Sequence, residues 1–395
     1  MRLMPSSNKK LSSGIQERLR AAAEWVDLGP ARVGRGFPTY FIAEIGNNHN
    51  GDFFLAKRMI EEAAKAGAHA VKLQKRSIRD VFAKELIDKP QTKEEVFGRT
   101  YGEYREGMEL SFHEFLRLRD IANSHNIAFI ATPFDIPSVD FLEKVGVPFY
   151  KIASFDVTNL PLVEYIAKLG KPIVMSTGMT SMDEIDEAVE TILKYHNKLI
   201  ILHCVSVYPS ADENIHMSTL LSLQNRYRPL PVGYSGHEQD ILPTLVALAR
   251  GASLVERHIT LSKSMPGPDH GTVSIEPPMF TEMVQSAARI RNLFGTPRAE
   301  VLEQEKMTRT KHSKSIVSAV AIPKGCVITA EMLTCKSPGY GLKPKDIERI
   351  IGKCTAIDIP ADTVIRAENI EWHGLDLGES PVHPAEKSSQ TQSAP

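Results

Sequence analysis

Between Phe41 and about Phe294 the chain alternates short apolar runs with longer stretches of helical periodicity. The runs "FIAEIG", "HAVKLQ", "IAFIATP", "FYKIAS", "PIVMST", "LIILHC", "LPVGYSG" and "SLVERHIT" have the length and composition of buried strands. The stretches between them carry helix punctuation. Asp52 precedes "FFLAKRMIEEAAKA" and Gly67 follows it. "SFHE" from Ser111 and "SMDE" from Ser181 have the form of capping boxes. Eight strands alternating with helices over roughly 250 residues predict an α/β protein built on a (β/α)8 TIM barrel. A doubly wound open sheet would carry a Gly-rich phosphate turn after its first strand, and "EIGNNHNG" is not one.

The pattern changes on both sides of this region. Residues 1–36 lie outside it, with "IQERLRAAAEWV" expected as a short helix. The barrel domain is expected over 37–294, interrupted from Arg76 to Gly107 by a long polar insertion where barrels place active-site loops. Residues 295–312 read as a charged linker with some helix. A small β-rich domain is expected over 313–373, where "AIPKGCVITAEMLTCK" is echoed by "DIPADTVIRAENIEWH". The polar, Pro/Ser-rich stretch 374–395 is expected to be disordered.

Charge and cysteine usage narrow the function classes. Lys+Arg number 47 and Asp+Glu 48, so nothing favours nucleic acid or an anionic membrane, and an anion site must be local. Four cysteines without C-x-x-C pairing favour reduced thiols in a cytoplasm. No signal peptide or bilayer-spanning segment is expected.

Every predicted strand ends in polar residues: Glu44; Lys72 and Gln74; Thr132; Lys151 and Ser154; Ser176 and Thr177; His203; Ser235 and His237; Glu256 and His258. In a barrel these ends form one mouth, where such folds keep their chemistry. In "ERHIT" the strand period puts Glu256 and His258 on one face and Arg257 on the other. His237 and His258 end neighbouring strands, a placement that suits a divalent ion such as Mn²⁺, Mg²⁺ or Zn²⁺. Lys72 and Lys151 with Ser/Thr hydroxyls suit a phosphate or carboxylate, unless they only neutralise Glu44 or Glu256. Three readings fit these residues: a metal-assisted synthase or lyase acting on a phosphorylated acid, a Schiff-base aldolase with Lys72 or Lys151 as nucleophile, and a non-catalytic carbohydrate-binding protein.

The motifs go further than the spacing. "AEIGNNHNG", "AVKLQ", "ATPFD", "YKIAS", "KPIVMSTGM", "LHCVSVYP", "GYSGH", "ERHIT" and "PGPDH" run in an order that resembles the sialic acid synthase family. "IPKG" and "SPGYGLKP" resemble its antifreeze-like SAF domain. The resemblance implies condensation of phosphoenolpyruvate with an N-acylated hexosamine, such as N-acetylmannosamine, to a nine-carbon 2-keto sugar acid and phosphate. It implies Mn²⁺ or Mg²⁺ on His237 and His258, and phosphoenolpyruvate on Lys72, Thr132, Lys151, Ser154, Ser176 and Ser235. It places Gln74, Asp156, Tyr208 and Asp269 on the sugar side, and Glu44 at the reacting centre. It further implies a domain-swapped homodimer in which each SAF domain covers the other subunit's barrel. Three positions depart from the resemblance. Asp156 stands where a glutamate is usual, Ser206 where an asparagine is usual, and Ser337 where an arginine is usual. "YKIASF" and "PGYGLKP" lean toward the branch that makes pseudaminic acid from a diacetamido 6-deoxy hexose.

Overall fold

In the computed structural model, residues 11–91, 98–267 and 269–372 are described, and the expected disordered tail 374–395 lies outside them. The chain divides into two compact units between Gly295 and Thr296.

The first unit opens with a helix, Ser13–Arg20, followed by a hairpin of β1 (Trp25–Leu28) and β2 (Ala31–Gly34). The sequence placed Trp25 and Val26 in a helix; the structure corrects this. Val26 and Leu28 are buried while Trp25 and Asp27 are exposed, so the local period is two and the segment pairs as a strand. Eight strands then follow: β3 (Tyr40–Gly46), β4 (Ala70–Lys75), β5 (Ala128–Pro133), β6 (Tyr150–Ile152), β7 (Ile173–Ser176), β8 (Leu199–Cys204), β9 (Val232–Gly236) and β10 (Leu254–His258). Their order, β5-β4-β3-β10-β9-β8-β7-β6, is parallel throughout, and β5 lies beside β6 to bring the ring round.

The helices between them start where the sequence said. Asp52 Oδ1 accepts from the Phe54 and Leu55 amides, and Gly67 turns the chain with φ 90° just past the helix end. Ser111 with Glu114 and Ser181 with Glu184 close complete capping boxes. Within the long insertion, Ile78–Val81, Lys84–Ile87 and Tyr101–Gly107 are short helices.

The barrel interior is layered. Its lower part is an apolar cluster of Tyr40, Ile42, Ala70, Ile130, Phe149, Val174, Leu202 and Leu254, joined by Val26, Leu28 and Val33 of the hairpin. The hairpin therefore stoppers the N-terminal end of the barrel. Two residues further along each strand, on the same inward face, the side chains turn polar: Ile42 gives way to Glu44, Ala70 to Lys72, Ile130 to Thr132, Phe149 to Lys151, Val174 to Ser176 and Leu254 to Glu256.

The second unit begins with a helix over Glu303–His312, in the stretch expected as a linker. Strands β11 (Ser315–Ser318) and β12 (Leu333–Lys336) pair antiparallel. The internal repeat is visible as structure. Ile322 and Ile359 exchange both backbone hydrogen bonds at 2.8 Å, and Ala330–Met332 and Ala367–Asn369 are matching 3-10 turns. Gly325 and Asp362, at the same repeat position, both take left-handed backbones, with φ 77° and 58°. Buried Ile322, Ile328 and Leu333 meet their repeat partners Ile359, Ile365 and Ile370 in one small core.

Candidate active site

The inward residues at the strand ends form a connected set of buried charges. Lys72 Nζ lies 2.6 Å from Glu44 Oε2, 3.1 Å from Thr132 Oγ1 and 3.8 Å from Glu256 Oε1. Lys151 Nζ donates to Ser176 Oγ at 2.6 Å and to the Ile152 carbonyl at 3.2 Å, and lies 3.6 Å from Glu256 Oε1. Ser235 Oγ donates to the same Glu256 oxygen at 3.2 Å. One carboxylate thus faces two ammoniums, and the register explains it: Glu256 stands opposite Ser235 on one side and Ile42 on the other, one step below His258 and Glu44.

These contacts set the ionisation of the cluster. Burial pushes the Glu44 carboxyl up, against the pull of Lys72 and with a further push from Glu256. Burial would raise Glu256 too, but Lys151, Lys72 and His237 together hold it below its ordinary value. Lys151 is lowered by burial, with Glu256 opposing.

Above this cradle stand the histidines. Their ring centres are 5.5 Å apart. His237 Nδ1 is 2.8 Å from the Val205 carbonyl, which leaves Nε2 as its free ring nitrogen. His258 Nδ1 is buried and has no hydrogen-bond partner. Burial and then the neighbouring His237 and Lys72 put His258 well below its usual pKa. Two imidazoles meeting one cation at about 2.1 Å have ring centres roughly 5 Å apart, so the pair fits a shared divalent ion. Among the described residues no group of three or more His, Cys, Asp or Glu side chains is arranged to hold a metal.

Arg257, between Glu256 and His258, points out of the barrel and is fully buried. Its guanidinium donates to Glu238 Oε1 at 2.8 Å, the Glu238 carbonyl at 2.6 Å, the Asp240 carbonyl at 2.7 Å and Thr244 Oγ1 at 2.9 Å. It fixes the segment that carries His237.

The sugar-side residues of the sequence reading line the same mouth. Gln74 Nε2 donates to Glu44 Oε1 at 3.0 Å. The Tyr208 ring packs 4.2 Å from that of His237. Asp156 accepts from Asn159 through Oδ1, and its Oδ2 is buried without a partner. Asp269 is raised by burial, and Arg105, His237 and Arg76 pull it back. Ser154 Oγ accepts from the Gly178 amide at 2.9 Å.

One expected strand end is corrected. His203 does not reach the mouth; it points outward, its Nε2 2.7 Å from the Ile215 carbonyl, and the inward residue of β8 is Cys204. The sequence counted strand ends without applying the alternation there. Glu256, which the sequence suggests as a countercharge to the lysines, does face both of them, on the inward face it shares with His258. Arg76 and Arg105 come from the insertion, where no period marks which side chains turn inward. A cavity of about 970 Å³ lined by Arg35, Phe37, His69, Arg228 and Phe294 is a separate feature that includes none of these residues.

Residues 59–299 match the NeuB family and residues 313–371 match the SAF domain. The chain is 36% identical to human N-acetylneuraminate-9-phosphate synthase, over 89% of this chain and 98% of that protein. It is 35% identical to the N,N'-diacetyllegionaminic acid synthase of Campylobacter jejuni, over 83% of this chain and 99% of that protein. Among solved structures, the N-acetylneuraminic acid synthetase of Leptospira borgpetersenii, in complex with citrate, superposes with a TM-score of 0.65 at 34% identity, covering 73% of this chain and 95% of that one.

Proposed function

The chain belongs to the NeuB family, and on that premise we propose that it is a nonulosonic acid synthase condensing phosphoenolpyruvate with an N-acylated hexosamine. The observation that carries this reading is the buried cradle in which Lys72 and Lys151 flank Glu256, with the Thr132, Ser154, Ser176 and Ser235 hydroxyls around them. Two desolvated ammoniums and a ring of hydroxyls match the carboxylate and phosphate of phosphoenolpyruvate.

His237 and His258 would hold Mn²⁺ or Mg²⁺, which supplies Lewis-acid polarisation of the sugar's aldehyde oxygen. The chain's own groups do the rest. Lys72 and Lys151 orient phosphoenolpyruvate so that its C3 faces the aldehyde carbon. A carbon–carbon bond forms there as the aldehyde C=O π bond opens to an oxyanion, which takes up a proton to become the product's hydroxyl, and positive charge develops at C2. A water adds at C2 and gives its proton to Glu44, whose raised carboxyl and Gln74 hydrogen bond suit it as the base. The tetrahedral carbon collapses, the C2–O bond to phosphorus breaks, and phosphate leaves against the lysines. The products are a nine-carbon 2-keto sugar acid and phosphate. Gln74, Asp156, Tyr208 and Asp269 would bind the sugar, either N-acetylmannosamine or a diacetamido 6-deoxy hexose of the pseudaminic type.

The lowered Lys151 ammonium is the one observation favouring a Schiff-base aldolase instead. Phosphate release from phosphoenolpyruvate with Mn²⁺, across a panel of amino-hexoses with mass spectrometry of the products, tests the synthase reading. No sugar-dependent phosphate release, together with a borohydride-trapped lysine adduct, would reverse the choice.

A further inference from the structure

Gln74 stands between Glu44 and the insertion, and the two ends of its amide face different partners. Nε2 donates to Glu44 Oε1 at 3.0 Å. Oε1 accepts from Arg76 Nη2 at 2.6 Å and from Asn47 Nδ2 at 3.1 Å. A glutamine amide can turn over at little steric cost, because its oxygen and nitrogen ends have nearly the same shape. Turned over, it would present Oε1 to Glu44. An ionised Glu44 resists this, since two acceptors would then meet. A Glu44 that has taken a proton does not, because its O–H can donate to Oε1. Asn47 offers no resistance either, since its own amide can turn over in step. Of the three partners only Arg76 is a donor in every state.

The arginine is built into place. Arg76 is 9% exposed, and its guanidinium carbon lies 3.9 Å over the Phe134 ring. The next residue is pinned by the neighbour of that ring. The Ser77 amide donates to Asp135 Oδ2 at 2.8 Å, while Asp135 Oδ1 caps the helix Ile136–Val145 by accepting from the Ser138 amide at 2.7 Å. Among the described residues no carboxylate pairs with the Arg76 guanidinium; Glu109 is paired with Lys75, and Glu44 with Lys72. Burial, and then Arg105, bring Arg76 down to about 10, so it is still a cation at neutral pH. A charge kept from water without an acid costs stability. Its hydrogen bond to Gln74 is what the fold obtains in return.

We propose that Arg76 is a positioning residue, locking the Gln74 amide with Nε2 toward Glu44 throughout the reaction. Glu44 then meets the same donor before and after it takes the water's proton, and that proton is not drawn into a bond with Gln74. The proposal rests on the synthase reading above, in which Glu44 is the base.

The test is a cycle of Arg76→Met, Gln74→Ala and the double variant. Phosphate release is followed with Mn²⁺, phosphoenolpyruvate and the amino-hexose that the wild type turns over fastest. Arg76→Met should lower kcat by about tenfold or more, the worth of one charged hydrogen bond. KM for phosphoenolpyruvate should stay within about twofold of wild type, because the lysine cradle is untouched. The melting midpoint should not fall, because the charge removed has no ionic partner. In the Gln74→Ala background Arg76→Met should cost nothing further, since the amide it holds is gone. Arg76→Gln, whose side chain can donate or accept, repeats the cycle if Arg76→Met does not fold. A wild-type kcat with a lowered midpoint would make Arg76 structural. A full tenfold loss in the Gln74→Ala background would mean that it acts independently of Gln74; either result overturns the proposal. Absence of phosphate release by the wild type with every amino-hexose would instead bring down the synthase reading, and the base that Arg76 serves with it.

Discussion

Lys72 Nζ and Glu44 Oε2 stand 2.6 Å apart with neither side chain more than 5% exposed, and the same ammonium is 3.8 Å from Glu256. One cation therefore stabilises two buried carboxylates. Removing it leaves Glu44 without its ion-pair partner, while Lys151 still faces Glu256 at 3.6 Å, and breaking such a buried pair costs about 3–5 kcal/mol. Lys72→Met should lose stability of that order, and Lys72→Met with Glu44→Gln should recover a large part of it. Denaturant melts of the three proteins decide the matter. A single variant within about 0.5 kcal/mol of wild type would mean that the pair contributes no more than a surface contact.

Arg257 reaches no substrate position, yet its four hydrogen bonds tie Glu238, Asp240 and Thr244 to the strand that bears His258. It is a positioning residue for His237, which is joined directly to Glu238. Lysine cannot reproduce the forked contact. Arg257→Lys should lower the melting midpoint and also raise the Mn²⁺ concentration for half-maximal activity, by about 10–100-fold as for other groups that orient ligands. A lowered midpoint with an unchanged metal requirement would confine Arg257 to stability.

Metal removal gives a separate prediction. Activity should vanish in excess chelator and return when Mn²⁺ is restored, and His258→Ala should abolish turnover with little change in melting midpoint. Turnover at wild-type rate in chelator would exclude the two-histidine site.

Much of the barrel and of this site was legible in the sequence, for a physical reason. Strands and helices have fixed periods, so "SLVERHIT" already sorted Glu256 and His258 to one side and Arg257 to the other. Capping residues such as Asp52, Ser111 and Ser181 act within one turn, and local signals survive in a linear reading. What escaped depends on contacts distant in sequence or on loops without a period. The hairpin at Trp25–Gly34 is a strand pair because the barrel floor accepts Val26, Leu28 and Val33. Arg76 turns inward because Phe134, some sixty residues on, offers it a face. His203 points outward because the strand period puts Leu202 and Cys204, not His203, on the inward face of β8.

His49 links fold stability to pH. It is buried and lowered to about 4, chiefly by burial, with Asp52 and Glu114 opposing. Its Nδ1 accepts from the Gly51 amide at 3.1 Å, a contact that requires an unprotonated nitrogen. The folded state thus binds this proton less readily than the unfolded chain. The contribution is intact above about pH 6.5 and is lost as pH falls toward 4, by up to about 3 kcal/mol. Melts across this range should show the loss, and His49→Asn should flatten that part of the profile. A variant with the same pH slope as wild type would assign the effect to other groups.

The last prediction concerns the second unit, matched over 313–371 to the SAF domain. Its core is a small set of isoleucines and leucines, while Val327, Tyr340, Ile351 and Ile357 are exposed at 53%, 53%, 38% and 47%. A module of this size buries too little surface to be comfortable alone, and four exposed large apolar side chains suit an interface. We therefore expect a homodimer in which each module covers the partner's barrel mouth, its outer surface supplying the closure the mouth needs to exclude water. Ser337 bears on this arrangement. Its hydroxyl donates to the His312 carbonyl and accepts from Lys314, so it ties down the turn between the helix Glu303–His312 and β11. The resemblance puts an arginine there, and Ser337→Arg should change the preference between N-acetylmannosamine and a diacetamido hexose if that position faces the partner's site. Complementation separates action across the dimer from action within one chain. A full-length His237→Ala chain has a dead barrel and an intact module; a chain ending at His312 has an intact barrel and no module. Co-expressed and purified as a mixed dimer, they should show activity exceeding the sum of the two assayed apart. Activity no greater than that sum, or sedimentation of the wild type as a monomer at micromolar concentration, would show that no module crosses to a partner.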